Sequence, residues 1–126
     1  MKNIIAVSIL CLLVIFGIST TASYAGTEKY GEAISSRNIT PIKDILANPA
    51  AFEGKTVTIE GKIASECPSG CWFYVKIAEG NLSIYVDIGK SGFAIPQKKG
   101  KRILVEGKVI VKKPGPMIQG KGVEVQ

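Results

Sequence analysis

Histidine is missing altogether, tryptophan occurs once and cysteine three times. Without histidine there is no imidazole to serve a serine or cysteine nucleophile, and the commonest nitrogen ligand for a metal is gone as well. Acidic residues are sparse, 10 Asp and Glu against 16 Lys and Arg. They fall at turns and outward strand positions, where a solvated surface is the default, and form no acid–base pair. A Gly-x-x-x-x-Gly-Lys-Ser/Thr phosphate loop is also lacking. No catalytic constellation remains, so the expectation is a protein that is not an enzyme and carries no cofactor.

An apolar run long enough to span a bilayer is absent too. The run from Ile4 to Ile18 falls short of the roughly 20 residues a membrane helix needs. Lys2 precedes it, and Ser23-Tyr24-Ala25 puts small residues at the two positions a signal peptidase reads. The pattern predicts a signal peptide over 1–25 and a periplasmic or secreted product with no stable membrane span. Cleavage after Ala25 leaves 126 minus 25, about 101 residues, one small domain. Cys11 leaves with the leader, so Cys67 and Cys71 are the mature pair. The mature chain keeps 15 basic and 10 acidic residues, a net of about +5. That balance favours an anionic ligand or partner, nucleic acid among them.

What is present is alternation. Val57, Ile59, Gly61 and Ile63 alternate with polar residues, as do Phe73, Val75 and Ile77, and Pro68-Ser69-Gly70 between the runs has hairpin-loop chemistry. If Cys67 faces Cys71, then Glu66 faces Trp72, Ala64 faces Tyr74 and Ile63 faces Val75, with odd-numbered residues inward on both strands. A turn at Glu79-Gly80 leads into Leu82, Ile84, Val86 and Ile88. That turn sets Tyr74 against Tyr85, Lys76 against Ser83 and Trp72 against Asp87. A fourth strand is expected over Lys101–Lys112 and a last one around Met117–Val125, separated by Pro114-Gly115-Pro116. Thr40-Pro41 reads as a helix start, with Thr40 as cap, and Ile42, Ile45 and Leu46 form the apolar face of a short helix over 41–47. Residues 26–39 read as a flexible lead-in and 40–126 as the domain.

Five short strands with glycine at the bends predict a small closed all-β barrel. The run from Ile42 through Asn48-Pro49, Phe52, Gly54-Lys55, Val57, Ile59 and Gly61 resembles the start of an OB-fold of the tRNA-anticodon-binding-like superfamily. Gly100-Lys101, Val105-Glu106-Gly107 and Val123-Glu124-Val125 resemble its last two strands. With the leader, Gly70-Cys71-Trp72 is similar to small exported bacterial OB-fold proteins of unestablished function. The resemblance implies a five-stranded Greek-key barrel with a short N-terminal helix. It also implies a binding module whose second and third barrel strands carry the ligand.

Two sites follow. Trp72, Tyr74 and Tyr85 share the outer face of those strands with Lys76, and Lys62 and Lys90 stand near. Aromatic rows beside cations suit base stacking with phosphate contact, while facing tyrosines are also ordinary cross-strand stabilisers. The second site is Cys67 with Cys71, for which three readings stay open. One is a structural disulfide. Another is a soft-metal site for monovalent copper, with Met117 as a third ligand, in a thiol- or metal-handling protein. The last is a redox pair, although three intervening residues depart from the Cys-x-x-Cys spacing.

Overall fold

The computed structural model describes residues 27–126; the expected signal peptide and Cys11 lie outside the described residues. Six strands form, where five were expected: β1 (Glu28–Gly31), β2 (Thr56–Glu66), β3 (Trp72–Lys76), β4 (Ser83–Asp87), β5 (Arg102–Lys112) and β6 (Gly115–Val125). Two short helices, α1 (Ile42–Ala47) and α2 (Pro49–Phe52), precede β2. Strands pair in the order β1-β6-β4-β3-β2-β5, and β5 pairs back onto β6, which closes β2 to β6 into a barrel. All pairings are antiparallel except β4 with β6. Closure leaves the barrel no open edge, and β1 extends the stretch of β6 that β4 does not reach.

Phe73, Val75, Val86, Ile59, Val105, Val109 and Ile118 are fully buried in the barrel interior. Ile42 and Ile45 of α1 join the same core, with Leu46 packed against it, so the helix plugs the barrel as its spacing predicted. Its start differs. Pro41 is extended, at φ −61° and ψ 130°, and stands at the cap position without a side-chain cap, so the helix begins one residue later than Thr40 as cap would require.

The β3–β4 register is the predicted one: Trp72 opposite Asp87, Tyr74 opposite Tyr85, Lys76 opposite Ser83. The β2–β3 register agrees only up to Ile63 with Val75. Past that pair a bulge at Ala64 shifts β2 by one residue, so Ser65 faces Tyr74 and Glu66 faces Phe73. Glu66 thereby turns to the inner side. Its carboxylate accepts the backbone N–H groups of Lys98 at 2.9 Å and Lys99 at 2.8 Å. The expected pairing of Cys67 with Cys71 gives way to Cys67 N–H donating to the Trp72 carbonyl at 2.9 Å.

The stretch expected as a flexible lead-in is stitched to the barrel. Glu28–Gly31 pairs with β6, and Ile39 bridges Thr58. The Thr58 hydroxyl donates to the Ser36 carbonyl at 2.7 Å. Two glutamates expected on the surface are buried: Glu106 at 1% exposure and Glu124 at 5%. Each is met by the same stretch, Glu106 by Ser35 and Ser36, Glu124 by the Arg37 guanidinium through two bonds of 2.8 Å.

Candidate functional site

Outward side chains of β3 and β4 gather three rings. Trp72 and Tyr85 lie with centroids 5.8 Å apart and planes tilted by 31°. Tyr74 meets both edge-on, 6.1 Å from Trp72 and 5.4 Å from Tyr85. These are favourable aromatic geometries, and they hold the cluster in place without a ligand. Trp72 and Tyr85 are half-buried while Tyr74 is 37% exposed, so Tyr74 is the ring of the cluster most open to solvent. Burial, followed by the charges of Asp87 and Cys71, raises the Tyr85 phenol above its ordinary range and keeps it neutral. The bulge places Ser65 beside Tyr74, and the parallel pairing places Met117 beside Tyr85.

Cations flank the rings in a row that spans three strands. Lys76 faces Lys62 across β3 and β2, and Lys62 faces Arg102 across β2 and β5. Like charges directly opposed across a sheet repel, so such a row is unfavourable unless something anionic lies over it. Glu60 offsets it only weakly, 3.9 Å from Arg102 with both side chains largely exposed. The row lines a groove of about 490 Å³ with Gly61, Ile77 and Ala78. A second groove, of about 540 Å³, runs beside the rings. Tyr74, Tyr85, Leu46, Met117, Lys112 and Lys113 are among its lining. Lys62, Lys76, Trp72, Tyr74 and Tyr85 are thus brought together as expected. Lys90 lies on the turn after β4, at the Trp72 end of the cluster, where its backbone N–H donates to Oδ1 of Asp87, the residue opposite Trp72, at 3.3 Å.

Arg102, Lys112, Lys113, Leu46 and Met117 were not placed on this surface from sequence. The signal for Arg102 was available, since pairing the two long strands through Ile59 and Val105 sets Lys62 opposite Arg102. The β5–β6 turn that brings Lys113 to the rings depends on barrel closure, which no local pattern encodes.

At the end of the hairpin the two thiols stand with sulfurs 3.0 Å apart, Cys71 donating to Cys67. The Ser69 hydroxyl lies 3.1 Å from the Cys67 sulfur and 3.7 Å from that of Cys71. These bonds, that from Cys71 first, favour the Cys67 thiolate and lower its pKa from 9.0 to about 6.

The corner is held from both sides. Gly70, at φ +75°, donates to the Cys67 carbonyl at 2.8 Å, and a Cβ there would stand 1.9 Å from the Ile95 carbonyl oxygen. Gln97 Nε2 donates to the carbonyls of Cys67 at 2.8 Å and Pro68 at 3.1 Å. The Cys71 carbonyl accepts from the amides of Ile88 and Gly89, both at 3.1 Å. Met117, considered with copper, pairs with Tyr85 in mid-strand, whereas Cys71 lies beyond the end of β4. Among the described residues no group of three His, Cys, Asp or Glu could hold a metal.

No family model matches the chain, and no curated protein matches it. Solved structures do. The hypothetical protein ygiW from E. coli superposes with a TM-score of 0.52 at 22% identity, covering 77% of this chain and 99% of that one. Asparaginyl-tRNA synthetase from Pyrococcus horikoshii gives 0.52 at 14% identity, over 70% of this chain. The match spans only 23% of the synthetase. These likenesses show the fold: the chain has an OB-fold.

Proposed function

We propose that the protein is an exported, non-catalytic binding module that takes single-stranded oligonucleotide on the outer face of β3 and β4. The observation that carries this reading is the adjacency of the ring cluster to the opposed cations. Trp72, Tyr74 and Tyr85 lie on one face with Lys76, which begins the row continued by Lys62 and Arg102. Rings accept any base by stacking and cations follow the phosphates, which is the division of labour of single-strand binders. The likeness to a tRNA synthetase, a protein named for a nucleic acid, supports the same class. Export rests on the Lys2, apolar-run and Ser23-Tyr24-Ala25 pattern. N-terminal sequencing of the native protein is expected to begin at Gly26, and a chain still beginning at Met1 would contradict cleavage.

The test is anisotropy of a labelled single-stranded oligonucleotide, about ten nucleotides long to suit one OB-fold, at two salt concentrations. Replacing Tyr74 and Tyr85 together by Ser is expected to weaken binding by about 1–3 kcal/mol for each stacked base lost. The melting temperature should stay within about 8 °C, because cross-strand tyrosines contribute modestly to stability. Lys62→Gln and Lys76→Gln should each lower the salt slope by about 0.7 for the phosphate contact removed. Unchanged affinity in the double tyrosine variant would remove β3–β4 as the binding face.

A further inference from the structure

Neither the rings nor the cation row uses the two thiols at the hairpin end. We propose that Cys67 and Cys71 form a reversible dithiol–disulfide couple, oxidised by low-molecular-weight disulfides, with Cys67 as the attacking thiol. The sulfurs stand 3.0 Å apart, about 1 Å beyond a bond of roughly 2.05 Å. The carbonyls of Cys67, Gly70 and Cys71 are each held by donors from the 88–97 stretch, so the corner can close or open without refolding the barrel. Both residues are only partly buried, which leaves the sulfurs open to a small reagent.

Three observations separate this from the alternatives. A bridge across so short a loop removes little chain entropy, so stability alone gives weak reason for it. A metal that needs three His, Cys, Asp or Glu ligands finds no such group among the described residues, and at the corner the Ser69 hydroxyl joins the sulfurs. A thiol titrating near 6 is largely ionised at neutral pH, and Ser69 and Cys71 supply the hydrogen bonds that hold it so. The couple is independent of the oligonucleotide reading.

The chemistry balances without a further reagent. The Cys67 thiolate attacks one sulfur of a disulfide R–S–S–R, its S–S bond breaks, and one RS⁻ leaves. Cys71 then gives its proton to solvent and attacks the Cys67 sulfur of the mixed disulfide, and the second RS⁻ leaves. Both departing thiolates take up protons. Two electrons pass from the cysteines to the small disulfide, giving one Cys67–Cys71 bridge and two thiols.

The experiment equilibrates the mature chain with reduced and oxidised glutathione at varied ratio, quenches with an alkylating reagent and reads the state by mass spectrometry. The bridge is expected to open and close reversibly across those ratios. At oxidising ratios Cys71→Ser should retain one glutathione on Cys67, since no second cysteine remains to displace it. Cys67→Ser should react about tenfold more slowly at pH 6, because it lacks the thiolate that Cys71 and Ser69 stabilise at Cys67. A bridge that stays closed at every ratio would make it structural and overturn the proposal. So would failure of Cys71→Ser to trap glutathione, or Cys67→Ser reacting as fast as the unaltered chain.

Discussion

Glu106 takes a carboxylate into the barrel wall and is met there by the Ser35 and Ser36 amides at 3.1 and 3.0 Å and the Ser35 hydroxyl at 2.9 Å. Burial pushes its pKa up, but these donors, with Lys121, outweigh it and leave the group below the usual carboxylate value. Arg37 does the same for Glu124 against its burial. A depressed folded-state pKa stabilises above the unfolded value and loses that contribution as pH falls through the folded one. Stability should therefore be level at neutral pH and decline below about 4.5, the ordinary glutamate value. Melting curves from pH 7 to 3 check this. Glu106→Gln should melt lower at pH 7, by about 1–3 kcal/mol for the compromised hydrogen bonds, and show a shallower acid decline. In the core, Ile59 is fully buried, and Ile59→Ala should cost about 2–5 kcal/mol in urea unfolding. Tyr85→Ala should cost less. Ile59 was legible from alternation. Glu106 was not, because its donors sit about seventy residues away, in a serine pair with no pattern of its own.

At the scale of elements, the β3–β4 pair was readable because the tight Glu79-Gly80 turn, with Gly80 at φ +67°, fixes the register locally. The β2–β3 hairpin was readable for half its length. Alternation sets the register up to Ile63, and then the amides of Lys98 and Lys99 draw Glu66 inward through the bulge at Ala64. That partner belongs to a distant connection, so the local sequence could not announce it. The segment before α1 was misread for a related reason: it is polar because its polar groups serve buried partners. Truncation through Gly31 removes a short, mostly exposed strand and should be mild. Truncation through Arg37 also takes the donors to both buried glutamates. It should cost about 2–6 kcal/mol more, at about 1–3 kcal/mol for each buried carboxylate that loses these hydrogen-bond donors, while Lys121 stays 3.6 Å from Glu106. Equal melting of the two truncations would show that the clamp contributes nothing.

For the whole molecule, barrel closure decides what lies next to what. It brings Arg102 into line with Lys62 and Lys76, and it brings Met117 and the β5–β6 turn beside Tyr85. The ring face was legible from one hairpin and one turn. Its cationic border was legible only in part, since Arg102 and Lys113 arrive from strands distant in sequence. A formal net charge of +6 over the full chain suits an anionic ligand, and the opposed lysines localise that charge beside the rings.

Trp72 is the single tryptophan of the chain and belongs to the ring cluster, so its fluorescence reports on that face alone. The most direct measurement titrates the mature protein with a single-stranded oligonucleotide while following Trp72 emission, at low and at physiological salt. The account predicts saturable quenching whose affinity falls as salt rises, because phosphate contacts release counterions. Binding that leaves Trp72 emission unchanged, or no binding at low salt, would contradict it.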